Sequence, residues 1–149
     1  MPEYLTTLVD KFTFKVALDR LYTVEGVWAL PDAGRVRIGV SDFLQQRSGD
    51  VAFAEIKPLG TAVKAGDEVA VIETIKVNIS LTSPQTGRVQ EANPGLADAP
   101  EAINQDPYGA GWLAILEPAN WETDRAQLLT AAAYFEKMKG QAEEEAKKL

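Results

Sequence analysis

From Phe12 onward, apolar residues recur at every second position in short runs, and each run is closed by a cluster of turn formers. This period of two predicts a succession of short β-strands. Phe12, Phe14 and Val16 alternate with Thr13 and Lys15. Val27–Leu30 and Arg35–Val40 flank Pro31-Asp32-Ala33-Gly34, a turn-rich tetrad whose glycine suits a positive φ, so a hairpin is predicted there. A short helix fits Asp42–Gln46, with Ser41 as N-cap and Gly49 ending it. Val51–Ile56, Val69–Glu73, Ile79–Thr82, Arg88–Glu91 and Trp112–Leu116 read as further strands, with Val63 in a short piece between two turns. Many short strands in one small chain predict a sandwich or flattened barrel.

Two stretches depart from this pattern. Residues 92–111 are dense in Asn, Pro, Asp and Gly and predict an ordered loop around a helical patch near Glu101–Ile103. From Asp124 to Leu149 there is no proline, and Leu128, Leu129, Ala132, Phe135 and Met138 fall at helical spacing. A C-terminal helix is predicted over about 124–140, frayed beyond Gly140. The whole chain, 1–149, is expected to be one domain with its core at about 12–118.

Composition narrows the chemistry. The 149 residues are 46 % hydrophobic, enough for a compact core. Fifteen Lys+Arg against 22 Asp+Glu give a net charge of −7, which disfavours nucleic acid and anionic membranes and favours basic partner surfaces. The absence of Cys and His removes thiolate nucleophiles, imidazole bases and the usual soft metal ligands. No catalytic residue and no metal site is expected, and redox or acyl chemistry would come from an added prosthetic group. No secretory signal and no apolar run of membrane-spanning length is legible, so a cytoplasmic location is the default expectation.

One lysine stands in a symmetric frame. Gly66 lies ten residues before Lys76 and Gly87 eleven after, each in a turn feeding an apolar alternation. The strands Ala70–Glu73 and Ile79–Thr82 converge on Thr74-Ile75-Lys76-Val77-Asn78, which puts Lys76 at a protruding hairpin tip. A lysine at a turn is ordinarily just a solvated surface charge; the frame around it presents this one as a shape that a modifying enzyme could recognise.

Between about Tyr22 and Pro118 the chain resembles the H protein of the glycine cleavage system and its lipoate-binding relatives. In that family the modified lysine follows Glu-Ser-Val; here it follows Glu73-Thr74-Ile75. Ile38-Gly39-Val40-Ser41-Asp42, Gly49-Asp50, Ser83-Pro84 and Gly87 also match. The most specific block, Asn104-Gln105-Asp106-Pro107-Tyr108-Gly109-Ala110-Gly111-Trp112-Leu113, resembles the family's Asn-x-Asp-Pro-Tyr-Gly-x-Gly-Trp-Leu. The resemblance implies a mainly β hybrid barrel-sandwich fold and a non-enzymatic carrier with lipoate amide-linked to Lys76. Glu73, Thr74, Ile75 and Val77 would support the attachment site, and a lipoate ligase or lipoyl transferase would load it. Tyr108 and Trp112 are expected to anchor their loop rather than touch cargo. Biotin carriers share the hairpin plan, but their lysine lies between methionines, whereas Lys76 lies between Ile75 and Val77.

Four positions depart from the family. Its first strand carries Tyr-Thr-x-x-His-Glu-Trp, and its glutamate helps hold the cationic aminomethyl cargo; aligned on Tyr22-Thr23 and Trp28, the His position is Gly26 and the Glu position is Val27. The family's aspartate four residues after the lysine is Ser80, and Phe43 replaces a histidine on the short helix. Val27, Ser80 and Phe43 are expected to cluster on the docking cleft. Losing a carboxylate partner costs an ammonium about 1–3 kcal/mol, so the departures argue against an aminomethyl cargo. The resemblance extends to the lipoate-binding proteins of heterodisulfide-reductase-like sulfur oxidation, which implies a sulfur cargo handed to the heterodisulfide-reductase-like complex. A cysteine-free carrier would suit that cargo, having no thiol to exchange with it. The alternatives are a divergent H protein serving the glycine cleavage enzymes, with Glu25 or Glu73 supplying the lost carboxylate, and an unmodified adaptor docking through its C-terminal helix.

Overall fold

The period-2 alternation folds into three antiparallel sheets in the computed structural model, which describes residues 3–148. An N-terminal hairpin pairs β1 (Tyr4–Val9) with β2 (Phe12–Ala17). The largest sheet contains β3 (Leu21–Tyr22), β4 (Val27–Asp32), β5 (Arg35–Val40), β7 (Ala62–Val63), β10 (Gly87–Ala92) and β11 (Ala114–Pro118), in the order β3-β4-β5-β11-β10-β7. The third sheet is β6 (Val51–Ile56), β8 (Glu68–Thr74) and β9 (Asn78–Thr82), with β8 in the middle. The two larger sheets enclose the main core, where Ile38, Val89 and Leu116 meet Val69, Ile72 and Leu81. This is the mainly β fold that the alternation predicts.

Local chemistry sets the elements. The β4–β5 turn is Ala33-Gly34, both at positive φ (54° and 80°), the conformation that lets a two-residue turn follow the strand twist. Helix α1 (Asp42–Ser48) begins where the Ser41 hydroxyl accepts the Leu44 N–H and ends at Gly49, as its flanking residues predict. β4 is buried on both faces: Val27 and Ala29 join the main core, while Trp28 points the other way into a second cluster with Tyr22, Phe14, Phe43, Tyr134 and Met138. Gly39 is required by that indole, because a Cβ there would collide with the Trp28 ring.

The structure departs from the expected elements in four places. β1 is a strand that the sequence reading leaves out. β11 starts at Ala114, not Trp112: the Asn93 side-chain amide donates to the carbonyls of Ala110 and Trp112, holding that stretch in the loop. The loop contains a 3-10 turn at Pro94–Leu96 and α2 (Ala102–Gln105), slightly later than expected. The C-terminal region splits into α3 (Trp121–Arg125) and α4 (Ala131–Ala146). Between them Leu129 exchanges backbone hydrogen bonds with Tyr22, and the Thr130 hydroxyl then caps α4 by accepting the Ala133 N–H. Leu128 and Leu129 therefore precede the helix. Its buried stripe is Ala131, Tyr134, Met138 and Ala142, and it runs through Gly140 rather than fraying there, since a helical glycine costs only about 1 kcal/mol among good helix formers.

Candidate functional site

β8 and β9 pair from Glu68↔Thr82 to Glu73↔Asn78, with one register shift between Glu68 and Ala70, leaving Lys76 at the apex between Ile75 and Val77. One side chain clasps the tip. The Thr74 N–H and hydroxyl both donate to the Val77 carbonyl at 2.9 Å, and the Val77 N–H returns to the Thr74 hydroxyl at 3.1 Å. Ile75 is 85 % exposed and Val77 52 %, so two apolar side chains stand in water beside an exposed lysine. Glu73 faces Asn78 on one side and Phe53 of β6 on the other. The flanking glycines have different reasons: Gly66 has φ +94°, while a Cβ on Gly87 would strike the Glu117 carbonyl.

Beside β9 lies an open cleft of about 660 Å³, walled by Ile79, Ser80 and Leu81, by Val24 and Glu25, by Leu44 and Arg47 of α1, and by α4. Ser80 is four residues from Lys76, at most roughly 13 Å even at the full strand rise of about 3.3 Å per residue, within reach of an extended lysyl–octanoyl arm.

The expected cluster of departures does not form. Val27 is fully buried in the main core, and Phe43 packs edge-on against Phe14 of the N-terminal hairpin with ring centres 5.4 Å apart. Of the three, only Ser80 lines the cleft. Carboxylates reach β9 from elsewhere. Glu25 lines the cleft and accepts the Thr82 hydroxyl at 2.7 Å, while Glu68 accepts the Ser80 hydroxyl at 2.6 Å and lies 3.2 Å from the Lys57 ammonium. The Ser80 hydroxyl, then Lys57, holds the Glu68 carboxyl below its ordinary value. Glu68 is not legible in the sequence, since only the β8–β9 register brings it to Ser80.

The loop block is structural in its contacts. The Trp28 indole N–H donates to the carbonyls of Val40 and Pro107, and the Arg20 guanidinium lies over the rings of Trp28 and Tyr108. Asn104 accepts the Val51 N–H and donates to Gly49 and Gln45, tying the loop to both ends of the α1–β6 connection. Burial pushes the Tyr134 phenol up to about 12 and raises those of Tyr22 and Tyr108 further. Among the described residues no cluster of side chains could hold a metal ion, and no helix is long and apolar enough to cross a membrane.

Comparison with known proteins adds a family. A model described as glycine cleavage H-protein matches residues 20–141. The chain is 39 % identical over 124 residues to a glycine cleavage system H protein of Thermus thermophilus, covering 83 % of this chain and 96 % of that protein. It is 36 % identical over 133 residues to a probable glycine cleavage system H protein of Pyrococcus abyssi, covering 89 % and 98 %. Among solved structures, a glycine cleavage system H protein from Mycobacterium marinum superposes with a TM-score of 0.70 at 34 % identity, over 78 % of this chain and 94 % of that one.

Proposed function

Because the chain belongs to the glycine cleavage H-protein family, whose members are lipoate-carrying accessory proteins and not themselves catalysts, we propose that it is a lipoyl carrier of the glycine-cleavage type with Lys76 as its attachment point. The observation that carries this reading is an exposed lysine on a clasped hairpin apex, one strand's reach from a cleft that holds a carboxylate. The residues present fit the group. Thr74 fixes the apex, Ile75 and Val77 offer apolar contacts to a loading ligase, and Glu73 sits one residue before the clasp. Amide attachment removes the lysine charge, and the bound lipoyl group supplies disulfide–dithiol chemistry. The protein's own part is to project the arm and to receive its head against β9.

Glu25 favours an amine-bearing cargo, since a carboxylate offers an ammonium a charge-assisted hydrogen bond. The second reading, a sulfur cargo passed to a heterodisulfide-reductase-like complex, rests on the serine at position 80 and the buried valine at 27. It has less to stand on than the sequence implies, because Val27 and Phe43 do not line the cleft. Glycine separates the two. The lipoylated protein should support CO2 release from glycine by a glycine decarboxylase, and Lys76→Arg should abolish it; a lipoylated chain that supports none would overturn the glycine-cleavage reading in favour of the sulfur cargo.

A further inference from the structure

The hairpin β1–β2 precedes the residues that the family model matches, and its two edges are treated differently. The edge of β2 is satisfied by side chains: the Lys15 N–H donates to the Asp42 carboxylate at 2.9 Å, the Lys15 carbonyl accepts the Tyr108 hydroxyl at 2.7 Å, and the Thr13 carbonyl accepts the Gln46 amide at 2.8 Å. The other edge of the hairpin, along β1, has no strand against it among the described residues.

The phase of the ladder shows which groups that edge presents. Both backbone polar groups of Lys15 point away from β1, so Lys15 and Thr6, which face each other, form a non-hydrogen-bonded pair. In such a pair the partner's N–H and C=O also point outward. Thr13, opposite Leu8, is in the same phase, and Leu18 donating to the Glu3 carbonyl marks the opposite one. Alternation therefore aims the N–H and C=O of Tyr4, Thr6 and Leu8 at the open edge. Their side chains share the outer face of β1, with Tyr4 40 % and Leu8 67 % exposed.

Edge strands of monomers are usually blunted by charge, proline or a bulge; Tyr4–Val9 has no charge, no proline and no glycine. We propose that β1 pairs antiparallel with β1 of a second copy across a two-fold axis at Thr6, making a continuous four-stranded sheet β2-β1-β1-β2. Two conditions set the register: the free groups belong to Tyr4, Thr6 and Leu8, and facing residues must share a face. Thr6 opposite Thr6 and Tyr4 opposite Leu8 satisfies both, with each facing pair exchanging both of its hydrogen bonds. The resulting aromatic–aliphatic and Thr–Thr pairs are favourable cross-strand neighbours. A second copy is the occupant that fits, because the strand complements itself and its lack of charge lets two molecules of net charge −7 approach there. One strand pair is small beside a standard interface of about 1,600 Å², so the dimer depends on concentration. Lys76 belongs to a different sheet and stays free.

Sedimentation equilibrium of the full chain from micromolar to millimolar concentration tests this. The wild-type mass should climb from 16.2 kDa toward twice that value, while Thr6→Pro stays monomeric. Because the Thr6 N–H takes no part in the β1–β2 ladder, proline is tolerated there. Thr6→Lys, which sets like charges opposite each other on the axis, is the second variant and should also stay monomeric. In this cysteine-free chain, Thr6→Cys should be joined into a covalent dimer by a short bismaleimide far faster than Thr7→Cys, which points to the other face. A wild type that stays at monomer mass throughout, as it would if the edge serves another protein's strand, overturns the proposal. So do variants that associate like the wild type, or equal cross-linking at positions 6 and 7.

Discussion

Thr74 illustrates how much of the site depends on single side chains: its hydroxyl both donates to and accepts from Val77, closing the apex without a glycine. Glu25 is the residue whose role is most open to test. Held by Thr82 in a cleft whose other charged residues are Arg47, Lys137 and Glu144, it is the carboxylate on the first-strand side. Glu25→Gln keeps the shape and should leave stability within about 0.5 kcal/mol, yet lower glycine-dependent CO2 release roughly tenfold or more, the worth of a charge-assisted hydrogen bond of about 1.5 kcal/mol. Unchanged turnover would remove Glu25 from the cargo site. Lys76 is legible in the sequence because its signal is local, a lysine between two converging alternations. The place of Phe43 is not, because its partner, Phe14, lies 29 residues away in a strand pair that the sequence only half reveals: a family histidine position has become part of the hairpin's apolar seat.

Elements whose ends are set by local chemistry are legible in the sequence, as with α1 between Ser41 and Gly49. Those set by tertiary contact are not. β1 is hidden because Leu-Thr-Thr-Leu breaks strict alternation, and α4 is predicted too early because Leu128 and Leu129 mimic a helical stripe while the latter is in fact bridged to Tyr22. The continuity of α4 through Gly140 matters to the site, since Lys137, Gly140, Gln141 and Glu144 form one wall of the cleft. A Cβ added at Gly140 meets nothing within 4 Å, so Gly140→Ala should raise stability against denaturant by about 0.5–1 kcal/mol. No change would mean that the helix is already frayed at that position.

For the molecule as a whole, the sheet sandwich follows from the period-2 pattern and the turn residues, whereas the second aromatic core does not, because it gathers Phe14, Tyr22, Trp28, Phe43 and Tyr134 from five separate elements. That core joins the N-terminal hairpin, α1 and α4 to β4. It backs the elements that wall the cleft, and the three-stranded sheet carries Lys76 beyond them. The measurement that bears most directly on this arrangement is the intact mass of the protein after incubation with lipoate, ATP and a lipoate ligase, beside a Lys76→Arg control. A single lipoyl addition that the control lacks is the expected result. An unmodified wild type, or an addition that survives in Lys76→Arg, would contradict the assignment of Lys76 as the carrier residue.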